Sequence, residues 1–245
     1  MTEATSTLLE VQGLRGGYGE INVLWGLDMR LRRGEITALI GSNGAGKSTL
    51  IRMLSGLLPS TGGSVRWQGQ AITNQSPARV LGHGIAHVPE GRRLFGPMTV
   101  EDNLLMGAYA RRDGKAAVRR DLDRVYAIFP KLYERRGQAA GTMSGGEQQM
   151  CAIGRGTMSA PSLLMIDELS LGLSPLLVEQ LIEALHALNR DGLSLLVVEQ
   201  DVMTALELSS TAFVMDMGRI THQGRSSALI DDPAVRTAYM GEMAA

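Results

Sequence analysis

Several residue types that would mark a special chemistry are scarce in this sequence. Aromatic residues make up only 4% of the 245 residues, and cysteine occurs once, at Cys151. A single cysteine excludes an internal disulfide and a cysteine-rich metal site, and it fits a reducing compartment such as the cytoplasm. The 4 histidines lie in separate segments without ligand spacing, which argues against a histidine metal centre.

Long apolar runs and an excess of one charge are also missing. The longest apolar runs, such as "LSLLVV", are far shorter than the roughly 20 residues that span a bilayer, so any membrane role must come through a partner. With 24 basic and 25 acidic residues, nothing marks the chain as a nucleic-acid or membrane-surface binder. The first ten residues resemble no signal peptide, and we expect a chain that is not exported.

What the sequence does contain is glycine, 30 residues of it, and an apolar content of 44% that is sufficient for a proper core. Strands are predicted over "LLEVQGL", "VLWGLDMRL" and "EITALIG", with turns at Gly16-Gly17 and Arg33-Gly34. A helix is predicted over "LIRMLSGLL" and a further strand over "GGSVRWQGQ". The amino-terminal third is therefore expected to be rich in antiparallel β-structure.

From Thr99 onward the pattern becomes helical, over "TVEDNLLMGAYARR" and "AAVRRDLDRVYAIF". Helix and strand then alternate over "GEQQMCAIGRGTM", "SLLMIDE", "PLLVEQLIEALHALNR" and "LSLLVVEQ", which is typical of a parallel sheet with crossover helices. A hairpin turned at Met217-Gly218 and a short helical tail complete the chain. The predicted fold class is α/β, with a mainly parallel sheet, an amino-terminal antiparallel part and a helical insert.

The stretch "GSNGAGKST" matches a phosphate-binding loop and lies directly between an apolar strand and a helix. Gly41, Gly44 and Gly46 allow the backbone N–H groups to face a phosphate, and the helix amino terminus adds partial positive charge. Lys47 is expected to bridge the β- and γ-phosphates, and the Ser48 hydroxyl to hold Mg²⁺. The nucleotide-binding residues predicted from this stretch are Gly41, Ser42, Asn43, Gly44, Ala45, Gly46, Lys47, Ser48 and Thr49.

Two carboxylates end the strand "SLLMIDE", where ligands of open α/β sheets bind. Asp167 is predicted to hold a metal through a water, and Glu168 to orient or deprotonate an attacking water. The alternative is a helix-capping acid after an ordinary strand. Adjacent carboxylates at a buried strand end repel each other unless a cation or a donor compensates, which favours the metal site.

The stretch "TMSGGEQQ" supplies a second helix amino terminus. Ser144 and Glu147 have the spacing of a capping box, so a plain helix cap is one interpretation. Gly145 and Gly146 are poor helix formers, yet they expose the N–H groups of the first turn to an anion. One chain then carries two phosphate-binding devices, and we expect each to complete a site on a neighbouring molecule.

Together with "LLMIDE" and "SLGLSP", these stretches make the chain resemble the ATP-binding subunits of ABC transporters over essentially its whole length. The stretches "HVPEGRRLF", "MTVEDNL" and "GTMSGGEQQM" are most similar to those of branched-chain amino acid importers. The resemblance implies one ABC-type P-loop ATPase domain over residues 1–245. Residues 1–90 and 160–245 would form the ATPase core with its antiparallel part, and about 91–159 a helical subdomain that carries the "SGGEQ" signature.

The resemblance also assigns residues individually. Tyr18 occupies the place of the aromatic residue that stacks on adenine, although it could simply cover a hairpin. Glu90 stands where the family usually has a Gln that senses Mg²⁺ and the attacking water, and a carboxylate can still ligate the metal. Arg92 and Arg93 could offset the charge of Glu90 or contact the permease.

Gln200 replaces the histidine that contacts the γ-phosphate in the family. It can donate a hydrogen bond but cannot shuttle a proton, so the role of general base passes to Glu168. Leu169 stands in place of the common Pro, and Ser174 in place of an Asp that reaches across the dimer. Departures at Glu90, Ser174 and Gln200 occur in members that pair with a different ATPase subunit. A heterodimer is therefore favoured, with a homodimer possible.

The resemblance implies Mg-ATP hydrolysis at the cytoplasmic face of the inner membrane, coupled through permease subunits to uptake of branched-chain or related amino acids. A solute-binding protein would be an indirect partner, and no nucleic-acid partner is expected. Alternatives are transport of urea, an amide or a lipid, a soluble ABC ATPase without a transport role, and a nucleotide-binding regulatory subunit with little turnover.

Overall fold

The computed structural model describes residues 7–239, so the ends of the predicted domain, residues 1–6 and 240–245, lie outside the described residues. In chain order the strands are β1 (Thr7–Tyr18), β2 (Ile21–Arg32), β3 (Ile36–Ile40), β4 (Gly62–Trp67), β5 (Gln70–Ala71), β6 (Ile85–Val88), β7 (Leu163–Asp167), β8 (Ser194–Glu199), β9 (Thr211–Asp216) and β10 (Arg219–Arg225). The helices are α1 (Lys47–Leu54), α2 (Pro77–Gly82), α3 (Val100–Met106), α4 (Lys115–Ile128), α5 (Pro130–Glu134), α6 (Gly145–Thr157), α7 (Pro175–Arg190), α8 (Val202–Leu208), α9 (Ser226–Ile230) and α10 (Pro233–Tyr239).

The strands form two sheets. The larger has the order β10-β9-β3-β8-β7-β6, and every pair in it is parallel except the β9–β10 hairpin. The smaller sheet, β2-β1-β4-β5, is antiparallel. The predicted fold class is confirmed in its parallel sheet, its amino-terminal antiparallel part and its helical segment between β6 and β7.

The central strands β3, β7 and β8 are buried along their whole length, which agrees with their uninterrupted apolar sequences. Parallel strands covered on both faces need such sequences because each side chain enters a core. Helices α3 to α6 pack on one of these cores through apolar residues that include Leu104, Leu122 and Ile153. Within residues 7–239, each helix is too short or too polar to cross a bilayer.

The predicted turn at Gly16-Gly17 is wrong, because β1 continues through both glycines to Tyr18. A Cβ added to Gly17 would lie 1.9 Å from the carbonyl oxygen of Ile21, so glycine permits close approach of β1 and β2. The chain turns one residue after Tyr18, at Gly19-Glu20.

The helix predicted from Thr99 to Arg112 is shorter than expected and ends at Met106. A Cβ on Gly107 would lie 2.0 Å from the carbonyl oxygen of Arg155, so the chain passes close to α6 at this point. The segment predicted as one strand from Gly62 to Gln70 is a small hairpin, β4 and β5. The short elements α2 and β6 were not predicted.

The strand register places three functional loops at one edge of the sheet. Ile40 at the end of β3 pairs with Glu199, and Asp167 at the end of β7 pairs with Val198. The carboxyl ends of β3, β7 and β8 are therefore level, which is where ligands of open α/β sheets bind.

Candidate nucleotide site

The loop between β3 and α1 is folded around the ammonium group of Lys47. Its Nζ donates to the carbonyl oxygens of Gly41 at 2.7 Å and Ser42 at 3.2 Å, and the residue is 5% exposed. Gly44 and Gly46 have φ of 83° and 106°, values that L residues rarely adopt. The loop therefore holds a buried cation beside the amino terminus of an eight-residue helix, the arrangement that binds phosphate.

Two carboxylates face this loop from the end of β7. Asp167 accepts a hydrogen bond from the Ser48 hydroxyl at 3.4 Å, and Glu168 Oε1 lies 3.8 Å from Lys47 Nζ. Burial, reinforced by the Glu90 carboxylate, raises the pKa of both Asp167 and Glu168. The structure thus brings together five residues predicted from distant stretches of sequence: Lys47, Ser48, Glu90, Asp167 and Glu168.

This group of side chains has the composition of a Mg²⁺ site. Mg²⁺ is usually held by one or two carboxylates, waters and substrate phosphates rather than by an all-protein cage. Asp167 and Ser48 provide a carboxylate and a hydroxyl in direct contact, and Glu90 is near enough to affect the pKa of Asp167. Among residues 7–239, no cluster of three or more His, Cys, Asp and Glu side chains is arranged to hold a metal without phosphate.

The polar end of β8 contributes three different contacts. Gln200 donates from Nε2 to Asn43 Oδ1 and so links this strand to the phosphate loop. Asp201 caps α8 by accepting from the Thr204 amide at 2.9 Å. Glu199 is buried and accepts from both the amide and the hydroxyl of Ser170, at 2.8 and 2.9 Å.

Glu199 and Ser170 had no role in the sequence prediction. Burial raises the pKa of Glu199 to about 6, the largest cause being loss of solvent around its carboxylate. Its signal in the sequence is a charged residue that ends a strand of otherwise apolar character, but its partner lies 29 residues away. Only the paired ends of β7 and β8 bring the two residues together.

Tyr18 lies beside α1 at the margin of the loop, with 43% of its surface exposed. Its hydroxyl accepts a hydrogen bond from Arg52 Nη1 at 2.8 Å and lies 3.5 Å from Thr49 Oγ1. The exposed ring is thereby fixed next to the helix that follows the phosphate loop. It is available to a planar ligand, as stacking requires.

The predicted capping box at the start of α6 is confirmed. Ser144 Oγ accepts from the Glu147 amide at 3.4 Å, and Glu147 Oε2 accepts from the Ser144 amide at 3.0 Å. Burial alone would raise the pKa of Glu147, but hydrogen bonds from Ser144 and Arg135 lower it overall. A Cβ on Gly146 would lie 2.6 Å from Leu177, so this glycine is also required for packing.

Arg92 extends over the same helix end. A Cβ built on Gly145 would lie 3.1 Å from Arg92 Nη2, and Arg155 in α6 donates to the carbonyl oxygens of Arg92 and Arg93 at 3.1 and 2.8 Å. The loop after β6 is thus fastened to α6. Within residues 7–239, no hydrogen bond or ion pair joins residues 144–147 to the phosphate loop, residues 41–49.

Comparison with known proteins finds similarity to one family. The ABC transporter family profile matches residues 24–170. The high-affinity branched-chain amino acid transport ATP-binding protein BraG of Pseudomonas aeruginosa is 45% identical over 224 residues, covering 91% of this chain and 95% of that protein. BraF of the same organism, which has the same description, is 27% identical and covers 96% of this chain and 98% of its own length.

A solved structure supports the same conclusion about the fold. The crystal structure of an ATP-binding cassette of an ABC transporter in its ADP conformation has a TM-score of 0.84 and 28% identity. The two structures align over 97% of this chain and 100% of the solved chain. The similarity therefore extends over both sheets and the helical segment between them.

Proposed function

The chain belongs to the ABC transporter family, in which it is an ATP-hydrolysing subunit, and we propose that this hydrolysis drives uptake of branched-chain or related amino acids. The observation that carries the ATPase part is the placement of Lys47, Ser48, Asp167 and Glu168 at one sheet edge. The solute is inferred from the 45% identity to BraG. The chain would act at the cytoplasmic face of the inner membrane, bound to permease subunits and indirectly served by a solute-binding protein.

Nucleotide binding is proposed to use the phosphate loop, residues 41–49, with Tyr18 stacked on adenine. Lys47 would exchange its two carbonyl partners for β- and γ-phosphate oxygens, which bear full negative charge and bind an ammonium more strongly. The loop need not rearrange for this exchange, because Lys47 already lies inside it. Ser48, Asp167 and Glu90 would hold Mg²⁺, which when bound neutralises phosphate charge.

Glu168 is proposed to be the general base. Its carboxylate lies beside Lys47, and burial raises its pKa toward the range in which a carboxylate can accept a proton from water. Gln200 would donate a hydrogen bond to the γ-phosphate or to the attacking water, since its amide already contacts Asn43 in the loop. Proton transfer from water to a Glu168 oxygen then accompanies attack of the water oxygen on the γ-phosphorus, while the bond from that phosphorus to the β-phosphate oxygen breaks and ADP leaves.

The complete site is proposed to need two molecules. Ser144, Gly145 and Gly146 present helix N–H groups that do not reach the phosphate loop of the same chain. Head-to-tail closure of two subunits would place these groups, with Glu147 as their cap, on the γ-phosphate held by the other subunit. Hydrolysis would remove that shared phosphate and release the two subunits.

We favour a companion subunit of different sequence as the second molecule. Ser174 is the N-cap of α7 and makes no side-chain capping bond, and its hydroxyl extends less far than the carboxylate of the Asp it replaces in the resemblance. BraG and BraF, which share one description in one organism, resemble this chain to different degrees, 45% and 27%. A homodimer of the isolated chain is the alternative. Sedimentation distinguishes the two: a homodimer should form with ATP alone, whereas a heterodimer should form only when the companion subunit is also present.

Uptake of labelled leucine by cells lacking this chain tests the proposal. Wild-type chain should restore uptake, whereas Glu168→Gln should not, although the purified variant should bind ATP as tightly as wild type. Asp216→Asn, in β9, serves as a matched carboxylate-to-amide control and should restore uptake. Unchanged leucine uptake in the deletion strain would contradict the solute, and wild-type ATP hydrolysis by Glu168→Gln would contradict the assigned base.

A further inference from the structure

The proposed reaction leaves one buried carboxylate without a role. Glu199 is 1% exposed and ends β8. Its two oxygens accept from Ser170 N at 2.8 Å, Ser170 Oγ at 2.9 Å and Gln200 N at 3.3 Å. A carboxylate removed from water requires such compensation, and two of its three donors come from a single residue of the loop after β7.

That loop contains Glu168 in an unfavourable backbone conformation. Its φ is 56°, in the left-handed region, where a non-glycine residue is strained. Such a conformation persists only where neighbouring contacts determine it. Two of them are evident: the Glu168 amide donates to Val198 O at 3.1 Å, and the Leu169 side chain is fully buried.

Ser170 supplies the third contact, immediately beyond the turn. Without the bonds to Glu199, the segment would keep its amino-terminal bond, the buried Leu169 side chain and one local bond, from the Leu173 amide to Ser170 O at 3.1 Å. The Glu168 carboxylate lies 3.8 Å from Lys47, so a small rotation of its backbone would move it with respect to the bound phosphate. A displacement of about 1 Å at a reacting group can lower a rate on the order of 10²-fold.

We propose that Glu199 is a positioning residue for ATP hydrolysis: by binding the amide and hydroxyl of Ser170, it holds the turn that aims the Glu168 carboxylate. The inference rests on the proposed role of Glu168. Within residues 7–239, no hydrogen bond or ion pair joins Glu199 to the phosphate loop, residues 41–49. Glu199 acts through Ser170.

Two other roles for Glu199 make different predictions. If it served only the stability of the sheet, its removal would lower stability without changing the turnover of the folded protein. If its negative charge alone mattered, Gln would be as damaging as Ala. Gln can retain the two shorter bonds, accepting from the Ser170 amide and donating to its hydroxyl, so a positioning role predicts that Gln is tolerated.

The first test is hydrogen exchange in the full chain without nucleotide. Glu199→Ala should accelerate exchange of the Ser170 amide at least 10-fold, and Glu199→Gln should not. Ser194→Ala is the matched control, because Ser194 is equally buried at the other end of β8, where it accepts from the Gly34 amide at 2.9 Å. It should leave exchange at Ser170 unchanged.

The second test is steady-state ATP hydrolysis by the full chain within its transporter complex. Glu199→Ala should lower kcat about 10-fold or more with KM for ATP within about 2-fold, because nucleotide binding does not use this turn. The kcat of Glu199→Gln should stay within about 3-fold of the wild-type value, and the kcat of Ser194→Ala should equal the wild-type value. Ser170→Ala, which removes one donor, should fall between these values, and it tests the proposal if Glu199→Ala does not fold.

An unchanged kcat in Glu199→Ala and Ser170→Ala would overturn the inference, as would equal losses in Glu199→Gln and Glu199→Ala. Glu168→Gln, measured in parallel, separates this failure from that of the proposed function. If Glu168→Gln abolishes turnover while the Glu199 and Ser170 variants do not lower it, only the positioning role is wrong. If Glu168→Gln turns over normally, the assigned base is wrong.

Discussion

Replacing Glu199 by Gln is expected to stabilise the folded chain at neutral pH and to leave its stability unchanged in acid. Burial raises the pKa of Glu199 from its ordinary 4.5 to about 6, so the folded state binds this proton more tightly than the unfolded state. The stability contributed by the proton is complete below pH 4.5 and is lost as the pH rises through about 6. A neutral Gln avoids that loss.

The magnitude follows from the same values. A pKa raised from 4.5 to about 6 corresponds to roughly 2 kcal/mol between the two protonation states. The side chain is 1% exposed, so solvent provides little screening. Gln gives up only the longest bond, from the Gln200 amide at 3.3 Å, and the expected gain at pH 7.5 is therefore about 1–2 kcal/mol.

Thermal unfolding of wild type and Glu199→Gln between pH 4.5 and 7.5 measures this effect. In a chain of this size the difference in Tm should grow with pH to about 2–8 °C. Glu168→Gln is a useful second variant, because the Glu168 charge helps to raise the pKa of Glu199. Without that charge, the Tm difference between chains with Glu and with Gln at position 199 should develop at a lower pH. A Tm difference independent of pH, or a Glu199→Gln variant less stable at pH 7.5, would refute the reasoning.

Three further substitutions test the neighbouring contacts. Ser144→Ala removes the cap of α6 and should lower the free energy of unfolding by about 1 kcal/mol in urea titrations; an unchanged value would contradict the capping role. Tyr18→Ala should weaken ATP binding about 10-fold in calorimetry, whereas Tyr18→Phe, which loses the hydroxyl contacts with Arg52 and Thr49 but keeps the ring, should bind nearly as wild type; equal losses would refute stacking. Gly146→Ala places a Cβ 2.6 Å from the Leu177 side chain and should lower the free energy of unfolding by about 1–3 kcal/mol; an unchanged value would contradict the packing role of this glycine.

Much of the fold could be predicted because its central strands carry a strong local signal. The apolar runs of β3, β7 and β8 and the capping box at Ser144 and Glu147 each lie within a few consecutive residues. The short edge strand β6 and the six-residue helix α2 escaped prediction, since neither is long enough to show a period.

Contacts between distant segments were harder to infer. Gly16 and Gly17 look like a turn in the sequence, yet their role depends on how closely β2 approaches β1. The pairing of Glu199 with Ser170 likewise depends on the alignment of two strand ends. The placement of Lys47 beside Glu168 was predicted, because each residue follows its own strand at the same sheet edge.

The loop after β6 is fastened to the last turn of α6, and this attachment has a mechanical consequence. Arg155 donates to two successive carbonyl oxygens of that loop, at Arg92 and Arg93, so the loop and the helix form a single lever. We therefore expect a displacement of the loop at Arg92 and Arg93 to move the helix as well, including its glycine-rich amino-terminal end. In the proposed dimer, a nucleotide that binds this end of the helix would in turn displace the loop at Arg92 and Arg93.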